Sequence, residues 1–335
     1  MINRNIHYSD DVVTTLCGDD KYSSAAKLMK MASTKRNDIA ILAPGDAMSS
    51  CILASSLAGL IECPFLLTKS SAIPSSTADL LSTYNVNSIV VVGNVDNTAI
   101  ERSAREHKLD AEITHIVAKD TQSLSAAVYD YGNALVHANW SNKLIFVKEG
   151  QHGDYITQLP YAYANKAPVL ITDSAGMLSE KQSSISREMK DGEVLSFGIS
   201  AQDLESQLAF SHRNVAIHDF MDDGPYNVNC HFNEWQFSKT HCSISNKTAL
   251  VASVWDPFDA LLVGPYAAQN GYPCFLEDPQ DLDSVYRLFM LLDDLKGTVS
   301  KLEVLGNGSL YTQLDKQILA KAITFAKTKD GIKNR

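Results

Sequence analysis

Apolar and polar positions along the chain spell one phrase three times. Residues 39–43 form a continuous apolar run, residues 48–60 follow with helical spacing, and Cys63-Pro64-Phe65-Leu66-Leu67 is a second apolar run. Two such runs joined by a helix predict a βαβ unit with parallel strands. The phrase returns as residues 144–148, residues 154–165 and Ala167-Pro168-Val169-Leu170-Ile171. Its third copy is residues 249–252, then a helical pattern of Phe258, Leu261, Leu262, Pro265 and Tyr266 stopped by Gly271, then Cys274-Phe275-Leu276. The prolines opening the second strand, Pro64, Pro168 and Pro273, follow at intervals of 104 and 105 residues. A third apolar run ends in Gly93, Gly198 and Gly306, at intervals of 105 and 108. Two landmarks with one period predict three tandem modules, each the size of a small domain. Proline lacks an N–H and suits the first residue of a strand. Glycine accepts the positive φ of a sharp turn from sheet to helix. Both landmarks are therefore architectural before they are contacts for a ligand.

The rest of the pattern fills in around these units. A strand is predicted over 12–16 and a helix over 21–33, with Ala25, Leu28, Met29 and Ala32 on one face and Asp19 or Asp20 as its cap. Helices follow near 74–84 and 97–108, and a strand over 113–117. A helix over 121–139 would carry Leu124, Ala127, Val128, Tyr131, Leu135 and Val136 on one face. Helices are also predicted near 179–190, 201–210, 284–294 and 310–327, with a strand at 215–218. Residues 220–246 are polar, aromatic and irregular, and predict a loop with one turn of helix. The period divides the chain into modules at 11–112, 113–214 and 215–328.

The chain has 335 residues, of which 45% are apolar, enough for two or three domains. A net charge of −10 argues against nucleic-acid binding by general phosphate neutralisation. No apolar run is long enough to span a bilayer. The opening MINRNIHYSDDVVTT has no apolar signal-peptide core, so the chain reads as cytoplasmic, as starting after processing, or as part of a longer protein. Cys17, Cys51, Cys63, Cys230, Cys242 and Cys274 include no CxxC pair and demand no disulfide. Cys230-His231 and His241-Cys242 offer four zinc ligands in one loop, but not at zinc spacing. Gly306-Asn307-Gly308 lacks the third glycine of a dinucleotide fingerprint, and neither a P-loop nor a nucleophile elbow occurs. No metal, cofactor or catalytic set is expected.

The run Leu16-Cys17-Gly18-Asp19-Asp20-Lys21-Tyr22-Ser23-Ser24-Ala25-Ala26 resembles the Gly-x-Asp-Arg-Tyr-x-Thr-Ala opening of the cell-wall-binding repeat 2 family. Phe258-Asp259-Ala260-Leu261 resembles the family's Phe-Pro-Asp-Ala-Leu segment. Leu66-Leu67-Thr68 and Leu170-Ile171-Thr172 resemble its Leu-Leu-Thr strand, and Val91-Val92-Gly93 its third strand. The family usually occurs as three tandem copies, and the resemblance covers about residues 12–326. The copies diverge: the segment's aspartate is Asp259 in the third, Asp154 in the second, and is replaced by Ser50 in the first. The opening is half kept at Val117-Ala118-Lys119-Asp120 and lost in the third copy.

The resemblance implies an α/β fold of three tandem Rossmann-like modules with small parallel sheets, arranged about a pseudo-threefold axis. It implies a non-catalytic anchor on the surface of a Gram-positive bacterium, bound without covalent linkage to an anionic wall polysaccharide or teichoic acid in grooves between modules. An effector region would lie outside this chain. An acidic chain must bind such a polymer locally, since long-range repulsion is screened beyond about 8 Å at physiological salt. Backbone N–H groups at the carboxyl ends of strands suit phosphate. Lys21, Lys69, Lys119 and Lys148 lie at or near strand-to-helix turns and could pair with it. Gly18, Asp19 and Tyr22 join them through the opening motif. Asp154 and Asp259 could bridge a divalent ion to the polymer, or stabilise a helix dipole. The competing reading is an α/β enzyme or solute-binding protein holding a small ligand between modules. Three modules count against a two-lobed receptor.

Overall fold

The computed structural model describes residues 12–32, 34–189, 191–208, 214–221, 224–238, 247–254, 261–295, 298–306 and 310–332. Among them are twelve strands: β1 Val13–Leu16, β2 Ile39–Pro44, β3 Phe65–Thr68, β4 Ser88–Val92, β5 Glu112–Ile116, β6 Lys143–Val147, β7 Val169–Ile171, β8 Asp191–Phe197, β9 Asn214–Phe220, β10 Thr248–Ala252, β11 Cys274–Leu276 and β12 Lys301–Leu305. They form three four-stranded sheets, ordered β3-β2-β4-β5, β7-β6-β8-β9 and β11-β10-β12-β1. All pairings are parallel. The helices are α1 Lys21–Met31, α2 Met48–Ile61, α3 Ser75–Thr83, α4 Asn97–Glu106, α5 Thr121–Ala134, α6 His152–Thr157, α7 Leu159–Asn165, α8 Glu180–Glu188, α9 Ala201–Leu208, α10 Pro225–Ser238, α11 Val263–Asn270, α12 Leu282–Asp294 and α13 Gln313–Ile332.

The threefold repeat is visible bond by bond. The carbonyls of Pro64, Pro168 and Pro273 accept hydrogen bonds from the N–H groups of Ile41, Ile145 and Leu250, at 2.9, 3.0 and 2.9 Å. Gly93, Gly198 and Gly306 all have positive φ, at 107°, 74° and 136°. Their N–H groups donate to Ile116, Phe220 and Leu16 in turn.

That last bond reveals an offset between sheet and sequence period. The strand opening each stretch of the period completes the sheet of the stretch before it. β5 closes the first sheet and β9 the second. β1 closes the third, with Val13 opposite Leu302 and Leu16 opposite Leu305. The helix after each such strand then packs on the next sheet: α1 on β3, α5 on β7 and α10 on β11. Each sheet is thereby tied to its neighbour, and the first residues of the chain complete the ring.

Corresponding helices meet at the centre. α7 packs against both α2 and α11, and α11 touches α2. Ser55, Leu159 and Gly264 occupy the same place in the period and converge there. A Cβ on Gly264 would stand 2.7 Å from Ser55 Oγ and 3.2 Å from Leu159 Cβ. One buried core runs through all three units, including Leu42, Leu57, Leu159, Leu250 and Val263.

Three elements differ from the sequence expectation. α5 stops at Ala134 instead of 139, and Val136 is 88% exposed. Trp140 folds back onto its last turns, its Nε1 donating to the Tyr129 carbonyl and its ring covering Gly132. The helix expected over 154–165 is two, broken at Gln158 ahead of Pro160. Residues 225–238, expected as loop, form α10. Its buried residues are Asn227, Val228, Asn229, Phe232 and Asn233, a helical face in which three of the five positions are asparagines. Asn229 Nδ2 donates to the Cys274 carbonyl and its Oδ1 accepts from Leu276 N–H, so the side chain caps the free edge of β11.

Candidate functional site

The carboxyl ends of the strands form three corners where a helix from one unit meets the next sheet. In the first, Gly18 begins the turn from β1 to α1. Its N–H donates to Ser24 Oγ, and a Cβ there would lie 2.6 Å from Ser24 N. Asp20, not the exposed Asp19, caps α1: Oδ1 accepts from Ser23 N–H at 2.7 Å, and Ser23 Oγ accepts from Asp20 N–H. The cap aims the first turn at the next sheet. Lys21 Nζ donates to the Gly45 carbonyl at 2.7 Å, at the end of β2. It also lies 5.5 Å from the centre of the Tyr22 ring, and Lys69 Nζ, from the end of β3, lies 5.8 Å from it. Gly45 leaves room for both side chains: a Cβ would stand 3.2 Å from Tyr22 Cε1 and 3.3 Å from Lys21 Cε. Burial, then Asp46 and Asp20, raise the Tyr22 phenol above its ordinary pKa. Lys69, 47 residues beyond Tyr22 in sequence, thus shares one corner with Lys21 and Tyr22.

The second corner repeats the geometry with different chemistry. Thr121, in place of Lys21, donates to Glu149 Oε1, and Gln122, in place of Tyr22, donates to the Met177 carbonyl. Lys119 lies apart, on the surface, 3.7 Å from Asp120. Lys148 and Asp154 flank the Gly198 turn: a Cβ on Gly198 would lie 3.1 Å from Lys148 Cβ and 3.5 Å from Asp154 Oδ2. Ser50 occupies the same place beneath Gly93 in the first unit. Asp154 is only 4% exposed, and burial pushes its carboxyl up to about 7. Asp259 lies outside the described residues, as do His241 and Cys242.

The third corner is acidic. Glu277 stands where Thr68 and Thr172 end the other edge strands. It is buried, and burial, then Asp315 and Asp278, push its carboxyl up to about 8. Tyr226, in the place of Tyr22, faces Asp278, Asp281 and Glu277, and its phenol is raised by burial first and these charges second. Among the described residues no group of three or more His, Cys, Asp or Glu is arranged to hold a metal ion. No described helix is long and apolar enough to cross a membrane.

A cleft that the sequence did not announce opens at the opposite, amino-terminal ends of the strands. It lies between the second and third units and has a volume of about 720 Å³. Tyr161 of α7, Trp235 of α10 and Tyr272 after α11 line it, with Asn142, Asn165 and Gln236. Lys143 Nζ donates to Tyr161 OH at 2.8 Å and Asn165 Oδ1 at 2.7 Å, and Tyr161 OH donates to Glu193 Oε2 at 2.8 Å. These residues come from five separate stretches of chain, so no local motif could have gathered them.

No family model and no curated protein matches the chain. Among solved structures, it is similar to Cwp6 from Clostridium difficile, with a TM-score of 0.78 at 16% identity over 93% of this chain and 48% of that one. It is also similar to Cwp8 from Clostridium difficile, with a TM-score of 0.73 at 18% identity over 93% of this chain and 52% of that one. The chain spans about half the length of each. At these identities the likeness is one of fold: three small parallel α/β sheets linked in a ring.

Proposed function

We propose that this chain is a non-catalytic cell-wall-binding unit of the cell-wall-binding repeat 2 type, holding an anionic wall polymer at the corner formed by Lys21, Tyr22 and Lys69. The observation that carries this is the meeting of a lysine of α1 and a lysine after β3 around one tyrosine ring. Two ammonium groups beside an aromatic face suit a phosphate- or carboxylate-bearing sugar, which offers an anion and an apolar ring face together. The fold likeness to two cell wall proteins supports a wall-associated role. In a chain of net charge −10, paired ammonium groups at this corner, with Asp46 and Asp20 beside them, limit the polymer to a local contact. Gly18 and Asp19 belong to the turn that sets this corner. Lys119, Lys148, Asp154 and Asp259 are proposed as secondary contacts in the corresponding corners. The location that follows is the cell surface, with the effector outside this chain.

The test is co-sedimentation with purified Gram-positive walls before and after removal of their phosphate-bearing polymers. Binding lost on stripping, weakened by salt, and reduced about tenfold or more in Lys21→Ala/Lys69→Ala, equivalent to about 1.4 kcal/mol, supports the reading. Binding unchanged in the double variant moves the contact away from this corner. Absence of binding to intact walls of several species removes the function.

A further inference from the structure

The cleft between the second and third units has a different chemistry from the basic corner and lies at the other end of the sheets. We propose that it is a binding site for a neutral saccharide ring.

Its charges cancel internally. Lys143 Nζ is held by Tyr161 OH and Asn165 Oδ1 and lies 3.9 Å from Glu193 Oε2. Glu193 in turn faces His218 Nε2 at 3.3 Å and accepts from Tyr161 OH at 2.8 Å. An anionic ligand would find Lys143, the one lysine of the cleft among the described residues, already facing a carboxylate, and a cationic ligand would find the reverse. What remains for a ligand is aromatic surface and amide groups.

The aromatic surface is fixed in place. Trp235 packs against Phe232 at 5.6 Å with planes 22° apart, and against Phe220 and His218 at 5.6 and 5.3 Å. Tyr161 stands 5.8 Å from Trp235, with Lys143 Nζ 4.7 Å from its ring centre. Tyr272 is braced edge-on by Tyr266 at 6.0 Å. Rings locked this way lose little freedom on binding, so more of the contact energy appears as affinity. The side-chain amides of Asn142 and Gln236 make no hydrogen bond among the described residues, although both line the cleft. A pyranose matches this arrangement: C–H faces for the rings, and hydroxyls for amides that both donate and accept. A volume of about 720 Å³ is ample for one or two rings.

The corresponding boundary between the first and second units is bridged by side chains. There Glu62 bridges Lys166 at 3.0 Å and also pairs with Lys35, and Tyr163 OH donates to the Cys63 carbonyl. Glu62 and Lys166 have Gly271 at their place in the period, which leaves the cleft open on that side. The site is thus a product of divergence between copies.

The experiment is saturation-transfer NMR of the full chain with glucose, N-acetylglucosamine and chitotriose, with glycerol phosphate as the anionic probe. The expected result is saturable transfer from at least one neutral sugar, weakened about tenfold, or about 1.4 kcal/mol, by Tyr272→Leu and by Gln236→Ala. Both positions are partly exposed, so the variants retain the fold, which circular dichroism checks. Lys21→Ala/Lys69→Ala should leave the sugar signal intact and lower wall binding alone, which separates this site from the basic corner. No saturable signal from any neutral sugar, a signal unchanged in both cleft variants, or preferential binding of glycerol phosphate there would overturn the proposal.

Discussion

Gly59 of α2 lies against the backbone of Tyr163 of α7, at the same place in the repeat one period later. A Cβ on Gly59 would stand 2.5 Å from Tyr163 Cα and 2.7 Å from its carbonyl oxygen. Backbone cannot rotate away as a side-chain tip can. Gly59→Ala is therefore expected to destabilise the protein by about 1–3 kcal/mol through forced separation of the central helices. Thermal or urea unfolding measures this. An unchanged midpoint would mean that the two helices do not pack as closely as described.

The asparagine cap on β11 makes a second prediction. Asn229→Leu keeps the branching of the side chain but leaves Leu276 N–H without its partner at 2.9 Å. A buried, unsatisfied donor costs about 1–3 kcal/mol. Asn229→Asp, which keeps the acceptor but loses the donor to Cys274, should destabilise too. Unfolding midpoints of the two variants at neutral pH provide the check.

Two buried carboxyls predict how stability follows pH. Burial raises Asp154 from 3.8 to about 7 and Glu277 from 4.5 to about 8. Between the ordinary and raised values the folded state holds more protons than the unfolded chain, so stability falls as pH rises. The favourable contribution is complete below about pH 4 and is lost by about pH 8, with each unit of displacement corresponding to about 1.4 kcal/mol. Melting temperatures from pH 5 to 8.5 should decline in the wild type and decline less in Asp154→Asn/Glu277→Gln. A slope equal in both would remove these groups as its source.

The closing strand carries a fourth prediction. The carbonyls of Val12, just before β1, and of Leu16, at its end, accept from Leu302 and Gly306 N–H at 2.9 and 3.4 Å. Removing residues 1–17 should leave β12 as a bare edge, which invites pairing with another chain. Amide exchange in Lys301–Leu305 should accelerate, and the truncated protein should self-associate with rising concentration. Unchanged exchange there would show that β1 contributes little to the third sheet.

The repeat was legible in the sequence because its landmarks answer local needs. A proline must open a strand rather than interrupt it, and a glycine must turn it, so Pro64 and Gly93 declare themselves without knowledge of the fold. Strand partners are another matter. The short segment Val13–Leu16, Val-Thr-Thr-Leu, reads the same whether it pairs with β2 or with β12. Only the three-dimensional closure chooses, and that is how the sheets came to be offset from the period. α10 was hidden by Asn229 and Asn233, polar residues on a buried face whose partners lie in β11. Of the corner, Lys21, Tyr22 and Lys69 were each legible as positions beside turns, but not their convergence. The cleft around Trp235 was not legible at all, since its walls come from β6, α7, β8, α10 and the turn after α11.

The closing strand also imposes an order on biosynthesis. The first and second sheets each draw their strands from one continuous stretch, so each can assemble as it leaves the ribosome. The third cannot, because Val13 must wait for Leu302. The first of the described strands to be made thus waits for the last of them, and bringing the two together closes a loop of nearly three hundred residues. Ring closure is then the final, committing step of folding. A chain arrested before β12 would present two finished sheets and β1 without its partner strand, an edge open to capture by a neighbour.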